Sequence, residues 1–558
     1  MLRRIAVTTL LAGIFAAPAS AAPIRGQTLM PGVVYSRQVE FTSHGPVVIH
    51  VLSAPKPVGG LYQLKPVLSN NAIIGRERVT SMQRSVSSVA TVAGVNGDLF
   101  AWKDGHPTGA LIRSGVLDSA PSAERSSVGI DADGNLHIER VAMAGTWKGS
   151  GQRRRLGINE PVSKRTTLYT PAWGPRTPAE RNAVAVTFQS FPAARPNADL
   201  TATVAQVAQG GNQPIPPGGA VLVARTDAQF LAQEAPVGST VSVKLLLTPQ
   251  WSNVTDAVGG GPIIVRNGKP VFRSFELFTP TQLATRNPRT AVGQTADGRL
   301  LLVAVDGRQP GYSTGLTNFE LALLMMRLGA VTASALDAGG STTMAFDGKL
   351  LNRPSDRGGE REVAEALLVF YYGVYAPASD PVLSPNGDGA FDRETFSYKL
   401  VSPSTVSASL VGPGGATIPL DSGERGPGVY RFTWAGTTAG GSPAPEGKWT
   451  FSVAASDEQG RRSTADRQFS LNTTLGFVTA QAAGRRVTGT FKLARAARIA
   501  TRIETPAGVI LRTLPARSLD AGTFTTSWRG RPGRYVLSIS ATNDTGTVEQ
   551  TAPFALGR

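Results

Sequence analysis

Two apolar, strand-like runs that each end in an aspartate constrain the fold more than any other feature of this chain. Leu300–Val305 ends in Asp306, and a shorter run around residue 335 ends in Asp337. A helix-like segment separates the runs, so this region combines helix and strand, and a glycine loop that begins at Gly339 follows the second run. Ligand sites in α/β sheets tend to lie at the ends of strands. The two acids therefore indicate a site rather than a core.

The segment between the two runs is the clearest helix in the sequence. Apolar residues dominate positions 319–328. Asn318 is expected to be the N-cap of this helix, and Gly329 is expected to stop it. Glu320 lies in its first turn, where a carboxylate suits the helix dipole.

The length of the chain, 558 residues, is too great for one core, and we expect about two to four domains. Mixed helix and strand patterns run from residue 35 to residue 375, and a Pro/Ser-rich linker follows. Residues 380–471 and 474–558 are two similar units, each with a tryptophan, a loop and a Gly-x-aromatic strand. Such repeats predict tandem sandwiches. The predicted fold class is an α+β mixed-sheet domain followed by two all-β immunoglobulin-like sandwich domains.

The first 21 residues have the pattern of a signal peptide. Arg3 and Arg4 precede an apolar run over residues 5–17, and Ala19-Ser20-Ala21 matches the A-x-A cleavage pattern. An uncleaved anchor is the alternative reading. The run is short for a membrane span, and no later stretch is long and apolar enough, so we expect no transmembrane segment in the mature chain. The predicted location is secreted, either extracellular or associated with the cell envelope.

Charge and cysteine content narrow the possible functions. The formal net charge is +17, or 17 − 2 = +15 without the two arginines of the signal. A basic exported protein favours anionic polymers or membrane surfaces. The arginines are dispersed and no nucleic-acid-binding motif occurs, so nucleic acid is not an expected partner. The absence of cysteine excludes disulfides, a thiol nucleophile and cysteine-bound zinc.

A G-x-S-x-G sequence at residues 311–315 suggests a serine hydrolase, but its context argues against that class. The nucleophile elbow must follow a strand directly, whereas residues 306–310 intervene here. The α/β-hydrolase order also needs a histidine after the serine. All four histidines precede it: His44, His50, His106 and His137. Only His106, in a polar loop after Asp98, is a candidate to face the site.

The acids and the glycine loop form a stronger signal than the serine. Turn and cap chemistry can explain each of Asp306, Glu320 and Asp337 alone. It explains them less well together with the glycine loop, whose backbone N–H groups could approach an anion. Arg289 or Arg308 could clamp that anion through two parallel hydrogen bonds.

Several ordered motifs resemble the phosphodiester glycosidase family over about residues 40–375. The match consists of these segments: Asn96-Gly97-Asp98-Leu99-Phe100, Gly260-Gly261-Pro262, Arg289-Thr290-Ala291-Val292-Gly293, Asp306-Gly307-Arg308, Glu320-Leu321-Ala322 and Ala335-Leu336-Asp337-Ala338-Gly339-Gly340-Ser341.

The resemblance implies an enzyme that hydrolyses glycosyl-1-phosphodiester bonds. The expected export and the positive charge suggest that its substrate is an anionic phosphodiester-linked glycan, in the envelope or outside the cell. The residue pattern and the resemblance together make Asp306, Glu320 and Asp337 the catalytic candidates. The expected substrate-binding residues are Asn96, Asp98, Arg289, Arg308, Gly339, Gly340, Ser341 and Thr342. No required cofactor is predicted.

Two departures from the family pattern keep a second function open. Ala335 stands where the family has asparagine, and Ala338 stands where it has a glycine. Alanine lacks the polar contact of asparagine and restricts positive φ. The alternative is a non-catalytic cell-wall or polysaccharide-binding protein with the same fold.

The C-terminal units resemble FlgD-like immunoglobulin repeats. The loop at residues 384–389 is rich in oxygen ligands, and Asn386, Asp388 and Asp392 could hold a structural Ca²⁺. The loop lacks the full EF-hand series, so a plain Asx-turn is the alternative.

Overall fold

The computed structural model describes residues 26–58, 60–161 and 165–557, and the predicted signal peptide lies outside these ranges. The fold is mostly β, with less helix than the predicted α+β class implies. The described ranges contain four short α-helices: α1 (Val79–Ser85), α2 (Ala228–Glu234), α3 (Pro280–Ala284) and α4 (Asn318–Arg327). None of them is long and apolar enough to cross a membrane.

Helix α4 is the predicted helix, with a different cap. Its N-cap is Thr317 rather than Asn318, because the Thr317 hydroxyl accepts the Glu320 N–H and the Glu320 carboxylate accepts the Thr317 N–H. This capping box fixes the start of the helix. Gly329 follows the last turn with a φ of 93°, as predicted for a C-terminal stop.

A central eight-stranded antiparallel sheet carries both strands that end in an aspartate. Its order is Gln27–Met30, Val33–Thr42, Gly45–Ala54, Leu300–Val305, Arg289–Thr295, Ala330–Ala335, Ile263–Arg266 and Lys269–Pro270. Helix α4 packs its apolar side, including Leu321 and Met325, on one face of this sheet.

A five-stranded sheet covers the other face of the central sheet. Its order is Lys349–Leu350, Met344–Phe346, Thr91–Asn96, Glu365–Tyr371 and Tyr62–Leu68. Val95 and Leu367 from this sheet share a core with Leu302 and Val292 of the central sheet. Asn96 pairs with Ala366, so the end of the strand Thr91–Asn96 and the start of its neighbour Glu365–Tyr371 lie at the same edge of the sheet.

Two further sheets complete the first 375 residues. A five-stranded sheet has the order Val116–Ser119, Leu111–Arg113, Val254–Gly259, Ser126–Asp131 and Leu136–Arg140. An eight-stranded sheet has the order Asp199–Thr203, Thr240–Thr248, Ala142–Lys148, Arg154–Ile158, Thr166–Tyr169, Ala220–Ala224, Val184–Phe188 and Gln206–Gln209. The second of these has its own core around Trp147 and Phe188.

The C-terminal part contains two β units, each with two sheets around a common core. The first combines Val382–Leu383, Arg462–Leu471, Gly447–Asp457, Ser404–Val411 and Thr417–Arg425 with the pair Glu394–Leu400 and Gly428–Trp434. The second combines Leu475–Ala483, Arg486–Leu493 and Gly522–Arg529 with Ile510–Leu519, Ala497–Glu504, Gly533–Asn543 and Gly546–Leu556. Trp449 lies in the first core and Phe491 in the second.

The loop that contains the candidate calcium ligands joins the two β units through hydrogen bonds. Asp388 Oδ2 accepts the Phe477 N–H at 2.7 Å and the Gln550 side-chain amide at 2.9 Å. Asp392 accepts the N–H groups of Gly387 and Gly389, both at 2.8 Å. Burial alone would raise the pKa of Asp388, but these and neighbouring hydrogen bonds lower it. The part of the chain that the structure describes holds no group of three or more His, Asp or Glu side chains suited to a metal.

We expect Ca²⁺ to leave the melting temperature of the protein unchanged, because the carboxylates of this loop already accept hydrogen bonds from N–H groups. The Asp388→Ala variant should lower the free energy of unfolding by about 1–3 kcal/mol, since it leaves the Gln550 amide and the N–H groups of Ala390 and Phe477 without their acceptor. Thermal and urea unfolding of the full chain, with Ca²⁺ and with a chelator, measure both effects. Asp544→Ala, an exposed site in the second unit, is the control. A clear rise in melting temperature with Ca²⁺ would instead support the calcium site.

Candidate functional site

The strand order explains why the two aspartates lie at one edge of the central sheet. Leu300–Val305 and Ala330–Ala335 both pair antiparallel with Arg289–Thr295, one on each side. They therefore run parallel to each other, and their carboxyl ends meet at the same edge. Asp306 follows the first of these ends directly, and Asp337 lies two residues beyond the second.

Asp337 is a partly exposed member of the three predicted catalytic acids. Its main chain is fixed to the neighbouring strand end, because its N–H donates to Gly97 O at 3.1 Å and its carbonyl accepts the Asn96 side-chain amide at 2.9 Å. The residue is partly exposed, and one carboxylate oxygen accepts the Ala338 N–H at 2.8 Å. Burial raises the pKa of Asp337 to about 6; the charge of Asp98 adds to the rise, and hydrogen bonds from Ser341 and Ala338 oppose it.

Asp98 forms a buried ion pair with Arg125. The guanidinium binds both carboxylate oxygens, at 2.8 and 3.1 Å, and the Asp98 side chain is fully buried. Gly109 and Gly259 lie on either side, where a Cβ would overlap Asp98 Oδ2. Burial lowers the pKa of Arg125, but the Asp98 charge and hydrogen bond outweigh it and hold it above the usual value. The two glycines thus leave room for this ion pair, which a larger side chain at either position would displace.

Glu365 is a third acid at this edge, and its pKa is shifted further than that of Asp337. Its side chain is fully buried; one oxygen accepts the Asp98 N–H at 3.2 Å, and the other has no hydrogen-bond partner among the described residues. Burial raises the pKa of Glu365 to about 8, and the charge of Asp98 adds to the rise. Glu365 therefore carries a proton at neutral pH.

Asp306 has the contacts of a positioning residue rather than the expected catalytic ones. It is 1% exposed. Its carboxylate contacts His50 at 2.9 Å and Tyr312 at 3.1 Å, the Asn352 amide at 3.0 Å and the Arg353 N–H at 3.1 Å. Asn352 also donates to Thr342 O at 3.2 Å, so Asp306 supports the glycine loop through the Asn352 side chain.

The serine motif does lie beside a histidine and an aspartate, yet the three are not connected as a triad. Ser313 is buried; its hydroxyl donates to the Asp306 carbonyl at 2.6 Å and accepts the Val48 N–H at 3.0 Å. The two ring nitrogens of His50 face Asp306 and the Tyr35 hydroxyl. The serine hydroxyl therefore has no base to activate it. His106, the histidine that was a candidate to face the site, contacts the side chain of Asp104 in its own loop at 2.5 Å.

Glu320 and Arg289 are occupied elsewhere. Glu320 caps α4 and forms an ion pair with Arg286. Arg289 is 4% exposed and donates to three carbonyl groups, those of Gln282, Thr285 and Leu316. Burial lowers the pKa of Arg289 to about 10, and the nearby Arg308 charge adds to this. Neither side chain presents a free group toward Asp337, so their predicted catalytic and binding roles gain no support from these contacts.

The glycine loop brings two other guanidinium groups to the site. Gly339 has a φ of 69°, and a Cβ there would lie 3.1 Å from a terminal nitrogen of Arg308. Arg361 occupies the space next to Gly340, pairs with Asp356 at 2.8 and 3.0 Å, and contacts the Ser341 hydroxyl at 3.4 Å. Arg308 is exposed, donates to the Asn287 side chain at 2.8 Å, and has no acidic partner within the described ranges.

The predicted binding residues therefore divide into two groups. Arg308 presents a free charge, whereas Asn96, Ser341 and Thr342 are at most 1% exposed and support the loop. Thr290 and Thr343 both donate to the Asn96 side-chain oxygen, which fixes its orientation. Four residues that complete the site are not evident from the sequence: Arg125, Asn352, Arg361 and Glu365. None of them lies in a local motif, and only the pairing of distant strands brings them here.

Comparison with known proteins supports the resemblance found in the sequence. Residues 194–370 match the family described as phosphodiester glycosidase. This is shorter than the region of about residues 40–375 predicted from the motifs, but it includes both strand-ending aspartates and Arg308. The resemblance to this family is confirmed over that segment.

Individual relatives cover only parts of the chain. It is 40% identical over 68 residues to N-acetylglucosamine-1-phosphodiester alpha-N-acetylglucosaminidase of Bos taurus, 12% of each protein. A weaker similarity, 26% over 202 residues, links it to the basal-body rod modification protein FlgD of Escherichia coli, covering 35% of this chain and 83% of that one. The chain is also 38% identical over 108 residues to the SPbeta prophage-derived uncharacterized protein YomE of Bacillus subtilis, which covers 19% of this chain. It spans 16% of the length of that protein and 12% of the length of the Bos taurus protein.

Comparison with solved structures supports the fold. A hypothetical protein from Synechocystis matches with a TM-score of 0.51 and 26% identity, over 61% of this chain and 62% of that chain. The likeness concerns the arrangement of the chain and carries no information about an activity.

Replacing Glu365 with glutamine should change how stability depends on pH. The folded protein keeps the Glu365 proton from about pH 4.5, the ordinary pKa, up to a pKa of about 8, whereas the unfolded chain has lost it. The wild-type free energy of unfolding must therefore fall, through this group, as the pH rises across that range. Glutamine has no proton to lose, so the variant lacks this fall. Urea unfolding of both proteins at several pH values measures the difference.

The matched control is Glu362→Gln, an exposed residue three positions earlier, which should follow the wild type. A stability difference between wild type and Glu365→Gln that stays constant over the whole range would contradict a buried, protonated Glu365.

Proposed function

We propose that this protein is a glycosidase that hydrolyses glycosyl-1-phosphodiester bonds. One observation carries the proposal: Asp337, with a pKa raised to about 6, lies next to a glycine loop that holds the unpaired guanidinium of Arg308. A carboxyl that titrates near neutral pH beside a free cation suits the cleavage of a bond between a sugar and a phosphate. The family match over residues 194–370 supports the same reaction class.

The phosphate would bind at the glycine loop. Arg308 supplies the unpaired positive charge, and Arg361, which is paired with Asp356, lies next to Gly340. A guanidinium binds two phosphate oxygens through parallel hydrogen bonds. Stabilisation of the charge that builds up on the departing phosphate is then the main electrostatic contribution of the site.

Asp337 acts in its ionised form as the base or nucleophile. A phosphate monoester has a second pKa of about 6, so it can leave with little protonation, unlike a sugar hydroxyl. The demand on the protein is instead a carboxylate near the anomeric carbon, where an oxocarbenium-like charge develops. Asp98 acts on Asp337 through its charge, which adds to the rise in the pKa of Asp337, while Arg125 binds both carboxylate oxygens of Asp98.

Asp306 and Glu320 take supporting roles in this mechanism. Asp306 orients Asn352, which donates to the glycine loop at Thr342. Glu320 holds the start of α4 and the side chain of Arg286. Replacing either acid should mainly lower the free energy of unfolding rather than the rate of hydrolysis.

The two departures from the family pattern are compatible with activity. Ala338 has a φ of −124°, an extended conformation that alanine adopts without strain. Ala335 is 3% exposed and packs in the core between α4 and the central sheet. The second candidate, a non-catalytic polysaccharide-binding protein, rests on the missing asparagine side chain at position 335.

The cellular setting belongs to the same proposal. Residues 1–21 would direct export, and the basic mature chain would act on phosphodiester-linked glycans of a cell envelope. The two C-terminal β units would be immunoglobulin-like domains that hold the enzyme near this polymer. The weak similarity to FlgD supports their kinship with FlgD-like repeats.

Asp337→Asn should reduce kcat on a UDP-linked or chromogenic glycosyl phosphodiester by about 10²- to 10⁴-fold, the usual contribution of a positioned acid or base. The wild-type rate should rise as the pH increases through about 6, because ionisation of Asp337 produces the active form. The variant should lack this rise. Release of the phosphate product, followed from about pH 4.5 to 8, gives both values.

Asp133→Asn, in an exposed turn, is the matched control and should keep wild-type rates. Turnover by Asp337→Asn at the wild-type level would remove this residue from the mechanism. Glycan binding without any turnover by the wild type would favour the non-catalytic candidate instead.

A further inference from the structure

Trp102 is an exposed aromatic residue in the loop that leaves the catalytic edge. The loop follows Asp98 directly, and Trp102 is 63% exposed. The loop is closed by two hydrogen bonds between Ala101 and residues 105 and 106, at 2.8 and 2.9 Å. The Phe100 ring packs against the indole at 5.4 Å. The indole is therefore held in place although it faces solvent.

Two guanidinium groups flank this indole. The Cζ of Arg361 lies 5.0 Å and that of Arg76 lies 5.8 Å from the ring centre. Both distances fall within the range of cation–π attraction. Arg76 has no acidic partner within the described ranges, and a Cβ at Gly105 would crowd its side chain at 2.8 Å, so the glycine lets it approach.

The indole is connected to the glycine loop through the side chain of Arg361. Arg361 contacts the Trp102 ring on one side and the Ser341 hydroxyl on the other. The Ser341 hydroxyl in turn favours the charged form of Asp337. Arg361 thus links the indole to the glycine loop, whose Ser341 hydroxyl acts on the Asp337 carboxylate.

This combination fits a sugar ring that carries a phosphate. A pyranose presents an apolar C–H face, which an indole covers, and a rim of hydroxyl oxygens, which guanidinium groups can bind as donors. Arg361 is paired with Asp356, so Arg76 supplies the positive charge that suits the phosphate. A nucleobase can stack on the same indole, so a nucleotide serves as the competing ligand in the test.

We propose that Trp102, with Arg361 and Arg76 at its sides, is a stacking platform for a pyranose ring of the phosphodiester-linked glycan. The proposal rests on the proposed function for the identity of the glycan, but it concerns binding and can be tested without turnover.

The test is calorimetric titration of the full chain with N-acetylglucosamine 1-phosphate, with uridine monophosphate and with inorganic phosphate. Trp102→Ala should weaken binding of the sugar phosphate by about tenfold, the loss of roughly 1.4 kcal/mol of contact. Trp102→Tyr should retain most of the affinity, because a ring remains. Binding of inorganic phosphate should be the same in all three proteins.

Phe477→Ala is the matched control, since Phe477 is also an exposed ring beside a cation, with Lys492 at 5.7 Å, but lies in the last β unit. Equal sugar-phosphate affinity of wild type and Trp102→Ala would overturn the platform, as would no binding by the wild type. A loss confined to uridine monophosphate would overturn it in favour of a nucleobase. A weakened sugar-phosphate complex in a protein that hydrolyses nothing would keep the platform and remove the glycosidase.

Discussion

The buried ion pair between Asp98 and Arg125 is the interaction on which the site depends. It joins the end of the strand Thr91–Asn96 to the start of Ser126–Asp131, and Arg125 also donates to the Gly260 carbonyl at 3.2 Å. Two sheets and the loop that precedes Ile263 are thereby fixed to one point. Removal of one partner from a buried pair costs roughly 3–5 kcal/mol, because the other charge stays buried without compensation. The glycines at positions 109 and 259 leave room for the pair.

Around this pair, three carboxyl groups at one edge have different environments. Asp98 is neutralised by a guanidinium, Asp337 titrates near pH 6, and Glu365 keeps its proton up to about pH 8. Burial is the main cause of both raised values, and the Asp98 charge contributes to each. Acids whose environments separate their pKa values can take different roles in one reaction. Asp306, in contrast, is saturated by neighbours and serves to hold the glycine loop.

Local features of this protein can be predicted from its sequence, but the connections between distant ones cannot. The strand Leu300–Val305, the helix α4 and the gathering of Asp306, Asp337 and the glycine loop follow from apolar runs and strand-end acids, which are local signals. The sequence favours a catalytic Asp306 because a strand-end aspartate looks the same in sequence whether it faces a cleft or His50. Glu365 and Arg125 carry no signal, since burial creates their properties and burial depends on the packing of whole sheets.

A crystal structure with a non-hydrolysable glycosyl phosphonate tests the central claim most directly. We predict that the phosphonate oxygens lie within hydrogen-bond distance of Arg308, at the loop of Gly339 and Gly340, and that the anomeric carbon faces the Asp337 carboxylate. A ligand bound elsewhere on the chain, or one at this edge whose phosphonate lies away from Arg308 and whose anomeric carbon is not near Asp337, would contradict the claim.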